Sequence, residues 1–424
     1  MKFIFADSLD MIDPNFDFEA DRMGNDREMY WGDVYPHEFF KTAPYQGILV
    51  SRGIVGDDLF PGKYPEDLMM RFRRIGAKSF LRLQDKRFAK MEIFGDCGAF
   101  SYVDREVPPY TPEMMLDFYT DGGFTHGCSV DHIIFDFDPN LKDMGGGTPA
   151  ARRRFDITLE NASAFLKASK SMGRGFTPMG VIQGWSPDSM ANAGQRLEKM
   201  GYTYLAIGGM VPLSADQVHL CLQAIRRKVS SKVRLHILGF AKAEQIQDFT
   251  DYGIASFDST SPLTRAFKDA KANYYLPNSK GGLDYYTAIR IPQATENARL
   301  KRKARESGTD QEQLIKLEQR ALEDLRAFDK GRASVNRTVE SVIEYNREFL
   351  WDPKKSTAAN EIVVDKTEAA MRRTLEESPW KRCGCRVCQE AGIEAVIFRG
   401  SNRNKRRGFH NLAVYYQHFK RAVR

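Results

Sequence analysis

Short apolar runs alternate with helix-forming stretches over the first two-thirds of the chain. The runs fall at 3–6, 47–51, 80–83, 93–94, 132–137, 179–182, 204–207, 234–238 and 255–257. Several are apolar throughout instead of alternating, as parallel strands covered on both faces are. Between them, 187–200 and 214–229 read as helices. Ser186 stands before Pro187 as an N-cap followed by proline at the first helical position. The repeated β-then-α order predicts a parallel α/β fold, and a doubly wound sheet and a (β/α)8 barrel both satisfy it. What lies just past the runs favours the barrel: Asp96, Asp138, Gln183, Gly208, Gly209, Gly239 and Asp258. Side chains from many strand ends converge at the C-terminal face of a barrel, whereas a doubly wound sheet gathers them at one switch point.

The character changes at 295–350, which is charged, rich in helix formers and poor in glycine and proline. Leu314, Leu317, Leu322 and Leu325 fall near helical spacing. Residues 281–380 hold 18 basic and 18 acidic side chains, with 299–305 (RLKRKAR) a local basic exception. A helical insertion is expected there, between a barrel at 1–280 and a third segment at 381–424.

The chain has 424 residues and 42% hydrophobic content, enough for a real core and against wholesale disorder. No apolar run approaches the ~18 residues of a membrane span. Asp7 and Asp10 come too early for a signal peptide, so a soluble cytoplasmic protein is expected. The net charge of +7 is unevenly spread: 381–424 holds 11 basic and 2 acidic residues, while 1–380 holds 52 and 54. Such a patch suits a polyanion, nucleic acid first. A solvated charge run is the plainer alternative.

Three of the six cysteines are scattered (Cys97, Cys128, Cys221), and three form Cys383-x-Cys385-x-x-Cys388. His410 follows in RRGFHNLAVYYQHF, with His418 as a competing fourth ligand. Three thiolates and an imidazole make a closed tetrahedral site, so a structural Zn2+ is expected, with no position open for a substrate. Lys405, Arg406 and Arg407 precede His410, so the metal would pin a basic element in place.

With these motifs in hand, the chain resembles the tRNA-guanine transglycosylase superfamily. The zinc pattern followed by HNLAVYYQ is one match. The others occur in family order: GDCGAF (95–100), FDFDP (135–139), VIQG (181–184), AIGG (206–209) and FDSTSPLTR (257–265). The resemblance implies a (β/α)8 TIM-like barrel with a zinc subdomain, and a pentosyltransferase that exchanges guanine for a 7-deazaguanine. It implies Asp258 as nucleophile and Asp96 as general acid/base. Asp138, Gln183 and the Gly208–Gly209 backbone would read the base, with Asp136 and Asp131 as competitors to Asp138. Cys383, Cys385, Cys388 and His410 would bind zinc; Arg265, Lys405, Arg406 and Arg407 are the candidates for phosphate contacts. The chemistry agrees. Breaking an N-glycosidic bond through an oxocarbenium-like state calls for one carboxylate to hold C1′ and a second to manage protons.

Departures from the tRNA enzymes point to a branch. Cys97-Gly98-Ala99 replaces Ser-Gly-Gly. Ser214 stands where bacterial tRNA enzymes place a glutamate after Gly-Gly, which favours a neutral 7-substituent: 7-cyano-7-deazaguanine (preQ0). The helical insertion lengthens the chain between Asp258 and Cys383. These features resemble the DNA 7-deazaguanine transglycosylases encoded with bacterial genomic islands or phages, a restriction-modification setting. DNA is then the expected partner, its guanine exposed by flipping. The insertion would hold the opened strand or recruit a helper ATPase or DNA-opening protein. A tRNA-modifying enzyme, a non-catalytic zinc-containing nucleic-acid-binding protein and a sugar hydrolase on the same barrel are the competing readings.

Overall fold

A computed structural model describes the backbone of residues 1–240, 243–308 and 310–423. Eight parallel strands close a barrel: β1 (Lys2–Ala6), β2 (Gly47–Ser51), β3 (Glu92–Asp96), β4 (His126–Cys128), β5 (Thr177–Ile182), β6 (Tyr204–Ile207), β7 (Arg234–Ile237) and β8 (Ile254–Asp258). Each pairs with the next, and β8 closes on β1 through the pair Phe3 and Phe257. Ile4, Leu49, Phe94, Cys128, Met179, Val181, Tyr204 and Ala206 form one buried cluster, drawn from six of the eight strands. This is why these strands read as unbroken apolar runs.

Seven of the nine runs are barrel strands; two are not. Residues 80–83 end the helix Glu66–Phe80 and turn through Arg82 at φ 56°. Residues 132–137 are irregular chain, and the strand of that repeat is the three-residue His126–Cys128. Its His-Gly-Cys sequence carries too little apolar signal to stand out. The helices behave as read. Ser186 Oγ accepts the Ser189 N–H at 3.1 Å ahead of Pro187–Met200. Ser214 caps Ala215–Lys228 by accepting from Gln217 N–H. Among the described residues, the connection between β7 and β8 carries the 3-10 segment Ala243–Tyr252.

The chain divides into two compact units. One is the barrel, Met1–Asp10 and Tyr45–Ser261 with the last residues of the chain; the other is Met11–Pro44 and Pro262–Arg421. This differs from the expected 1–280, 281–380 and 381–424. The barrel unit ends at Ser261, and the helical stretch shares its unit with the cysteine cluster and with an early excursion of the chain. The helical stretch starts later than 281, after the antiparallel pair Tyr274–Pro277 and Leu283–Tyr286. Its helices are Ala298–Ser307, Gln311–Asp329, Val335–Leu350 and Thr357–Glu377. Leu314, Leu317, Leu322 and Leu325 are buried, as their spacing predicts. Among the described residues no helix is long and apolar enough to cross a membrane.

Candidate active site

Carboxylates collect at the C-terminal ends of the strands. Asp96 ends β3, Asp258 ends β8, and Asp131 follows β4 by three residues. Burial raises the Asp96 carboxyl to about 7. The charges of Asp258 and Asp131 push the same way, against hydrogen bonds from the Ser51 hydroxyl and the Gly98 N–H. Asp131 is likewise raised by burial, moderated by two side-chain donors and its own backbone N–H. The Cys97 thiol donates to its Oδ1 at 3.1 Å, and Gln183 Nε2 donates to its Oδ2 at 2.7 Å. Burial, together with the charges of Asp131 and Asp96, pushes the Cys97 thiol well up, which fits a structural donor and not a nucleophile.

Asp258 is buried, and its Oδ1 accepts the Gly239 N–H at 2.9 Å and faces His236 Nε2 at 3.1 Å. Its Oδ2 has no hydrogen-bond partner among the described residues. Gln183 lies across the turn after β6: a Cβ on Gly208 would stand 2.3 Å from Gln183 Nε2, and Gly209 has φ +73°. Only glycine fits both demands there.

The structure separates the three competing base-reading carboxylates. Asp131 alone contacts Gln183. Asp136 is exposed and accepts the hydroxyl of Thr148, the N-cap of the helix Pro149–Ala168. Asp138 is also exposed, accepts the Asn140 N–H at 2.9 Å, and has no hydrogen bond to Asp96, Gln183 or Asp258. A carboxylate with one oxygen held and the other unengaged, beside an acid that titrates near neutrality, can perform nucleophilic displacement with proton transfer.

The ligand atoms of Cys383, Cys385, Cys388 and His410 lie within 4.8 Å of one another. His410 Nδ1 is 3.3–3.5 Å from each sulfur. Its Nε2 donates to the Tyr275 carbonyl at 2.7 Å, which turns Nδ1 toward the sulfurs as a ligand. Tyr274 stacks on the imidazole at 3.9 Å between centroids, and its hydroxyl is 3.1 Å from Cys388 Sγ. The set fits a tetrahedral metal ion with no open position. His418 stands outside it.

A curated relative from Salmonella montevideo, described as "DNA-guanine transglycosylase", is 41% identical over 420 residues, spanning 98% of this chain and 96% of its own. The chain belongs to the DNA-guanine transglycosylase family. No protein-family model matches it.

In this family member the basic segment before His410 behaves unlike the expectation. Arg406 and Arg407 are buried and bond inward, which removes them as phosphate contacts. Arg406 donates to the carbonyls of Asp13 and Pro14, and Arg407 to those of Ala266 and Ile397. A buried guanidinium must spend its donors on fixed acceptors, and here the backbone supplies them. Lys405 and Arg265 are partly exposed and already engaged within the protein. Sequence reading missed His236, Ser256 and Tyr204, which run as a hydrogen-bonded row from Asp258 into the barrel. The only available signal was a polar residue in each of three apolar strands.

Proposed function

We propose that the chain exchanges guanine in DNA for 7-cyano-7-deazaguanine by double displacement. Asp258 Oδ2 attacks C1′, and the bond from C1′ to guanine N9 breaks. Asp96 gives its proton to the departing base. The incoming base then displaces Asp258 from C1′ and returns a proton to Asp96, with net retention at the sugar. Asp138, Gln183 and the Gly208–Gly209 turn read the base edge, Asp131 holding Gln183 in place. The observation that carries this reading is the contrast between two carboxylates: Asp258, with one oxygen held and the other without a partner among the described residues, and Asp96, with a pKa near 7.

The neutral 7-substituent follows from Ser214, whose hydroxyl is committed to capping its helix; no carboxylate stands there to pair a cationic amine. Zn2+ at Cys383, Cys385, Cys388 and His410 serves architecture only. The test is nucleoside mass spectrometry of DNA and tRNA, digested separately, from cells making the protein with its genomic neighbours. The expected result is a 7-deazaguanine deoxynucleoside that disappears with Asp258→Asn. The modified nucleoside in tRNA alone would overturn the choice of nucleic acid and keep the chemistry.

A further inference from the structure

We infer that His236 is a positioning residue for Asp258, with its chief effect on the second displacement. The inference rests on Asp258 as the nucleophile proposed above. His236 is fully buried on β7, its Nε2 3.1 Å from Asp258 Oδ1 and its Nδ1 2.5 Å from Ser256 Oγ. Ser256 Oγ is in turn 2.5 Å from the Tyr204 hydroxyl. One donor order uses every proton: Tyr204 to Ser256, Ser256 to His236 Nδ1, and His236 Nε2–H to the carboxylate. Phe94 packs on the imidazole face at 5.3 Å between centroids, so the ring has little room to turn.

The effect on chemistry follows from where charge appears. Asp258 carries negative charge as a carboxylate and loses it as the glycosyl ester. Two donors on Oδ1, from Gly239 and His236, favour the carboxylate over the ester. They restrain the first attack slightly and stabilise the charge that returns as the incoming base takes C1′. They also leave Oδ2 as the attacking oxygen. Removing the His236 donor therefore shifts the balance toward covalent enzyme.

The experiment mixes enzyme with a labelled guanine-containing DNA oligonucleotide, with and without added preQ0, and quenches in SDS. The adduct fraction is read on a denaturing gel beside turnover. His236→Leu is expected to lower turnover about 10- to 100-fold while the adduct fraction rises. His236→Gln, which restores an N–H donor, recovers much of the turnover and lowers the adduct again. Ser256→Ala removes the partner of Nδ1 at small steric cost, shifts the adduct the same way by less, and decides the matter if His236→Leu does not fold. An adduct fraction unchanged in the folded variants, or one falling in step with turnover, overturns the inference and makes His236 a packing residue. If no adduct forms in any variant and Asp258→Asn still exchanges base, the nucleophile assignment fails as well.

Discussion

Two buried charged clusters, one in each unit, follow opposite rules. At the barrel's C-terminal end, Asp96, Asp131 and Asp258 share a site in which no lysine or arginine pairs with them among the described residues. In the second unit, Arg326, Arg399 and Arg403 meet Asp21, Glu318 and Glu394. Arg403 bonds to both Asp21 and Glu394, Arg399 to Asp21 and Glu318, and Arg326 to Glu394. Three cations face three anions, with the Phe18 carbonyl accepting from Arg326 and Arg403 as well. Charge that is buried and balanced builds structure. Charge that is buried and unbalanced raises free energy, and such strain persists where chemistry uses it.

Substitution in the two clusters should therefore break different things. Asp258→Asn is expected to lower base exchange by about 10³- to 10⁴-fold in steady-state assays, as loss of a nucleophile does. Its melting temperature should stay level or rise, because one of three mutually repelling carboxylates is gone. Arg403→Ala is expected to do the reverse. It leaves Asp21 and Glu394 short of a partner, at a cost of about 3–5 kcal/mol in denaturant unfolding. Protein that still folds should keep its chemistry. A stable Arg403→Ala beside an unfolded Asp258→Asn would invert the comparison.

The sequence made the first cluster legible and hid the second, for physical reasons. Asp96 and Asp258 stand at the ends of apolar runs, where a barrel puts reactive groups, and the motif order implied the roles proposed for them. The Cys383, Cys385, Cys388 and His410 spacing was readable because metal ligation is local for three of its four ligands. The arginine cluster joins Asp21 to Arg399 and Arg403 across most of the chain's length, and no spacing rule reaches that far. For this reason 381–424 looked like a basic surface, while Arg403, Arg406 and Arg407 are interior. Strand β4 was missed because a three-residue His-Gly-Cys strand has no run to detect. Sequence reading favoured Asp138 over Asp136 and Asp131, and pattern could not show that Asp131 is the one of the three that turns inward to Gln183.

A smaller effect separates the site's strain from its chemistry. The native state holds a proton on Asp96 up to about pH 7, whereas an unfolded aspartate releases it near pH 4. Between those values the native state binds more protons, so stability contributed by this group falls as pH rises and levels off above pH 7. Asp96→Asn removes that slope. Denaturation midpoints at pH 5 and pH 8 should show the variant gaining on the parent by about 2–4 kcal/mol at the higher pH. Parallel curves would mean that Asp96 is solvated and its ionisation ordinary.

The smallest expected effect tests whether burial, and not geometry, sets the worth of a charge pair. Arg326–Glu394 and Arg320–Glu344 have the same N–O distance, 2.8 Å. Their side chains are 21% and 9% exposed in the first pair, and 53% and 46% in the second. Arg320→Ala should cost less than about 0.5 kcal/mol, because water and salt screen the pair and holding two long side chains still costs entropy. Arg326→Ala should cost about 1–2 kcal/mol, because Glu394 and the Phe18 carbonyl both lose a charged donor where water replaces it poorly. Raising salt in the same unfolding experiment should narrow the Arg320 effect toward zero and leave the Arg326 effect largely intact. Equal costs would show that the second unit's interior is wet enough to screen its ions, and its charge balance would then no longer explain its stability.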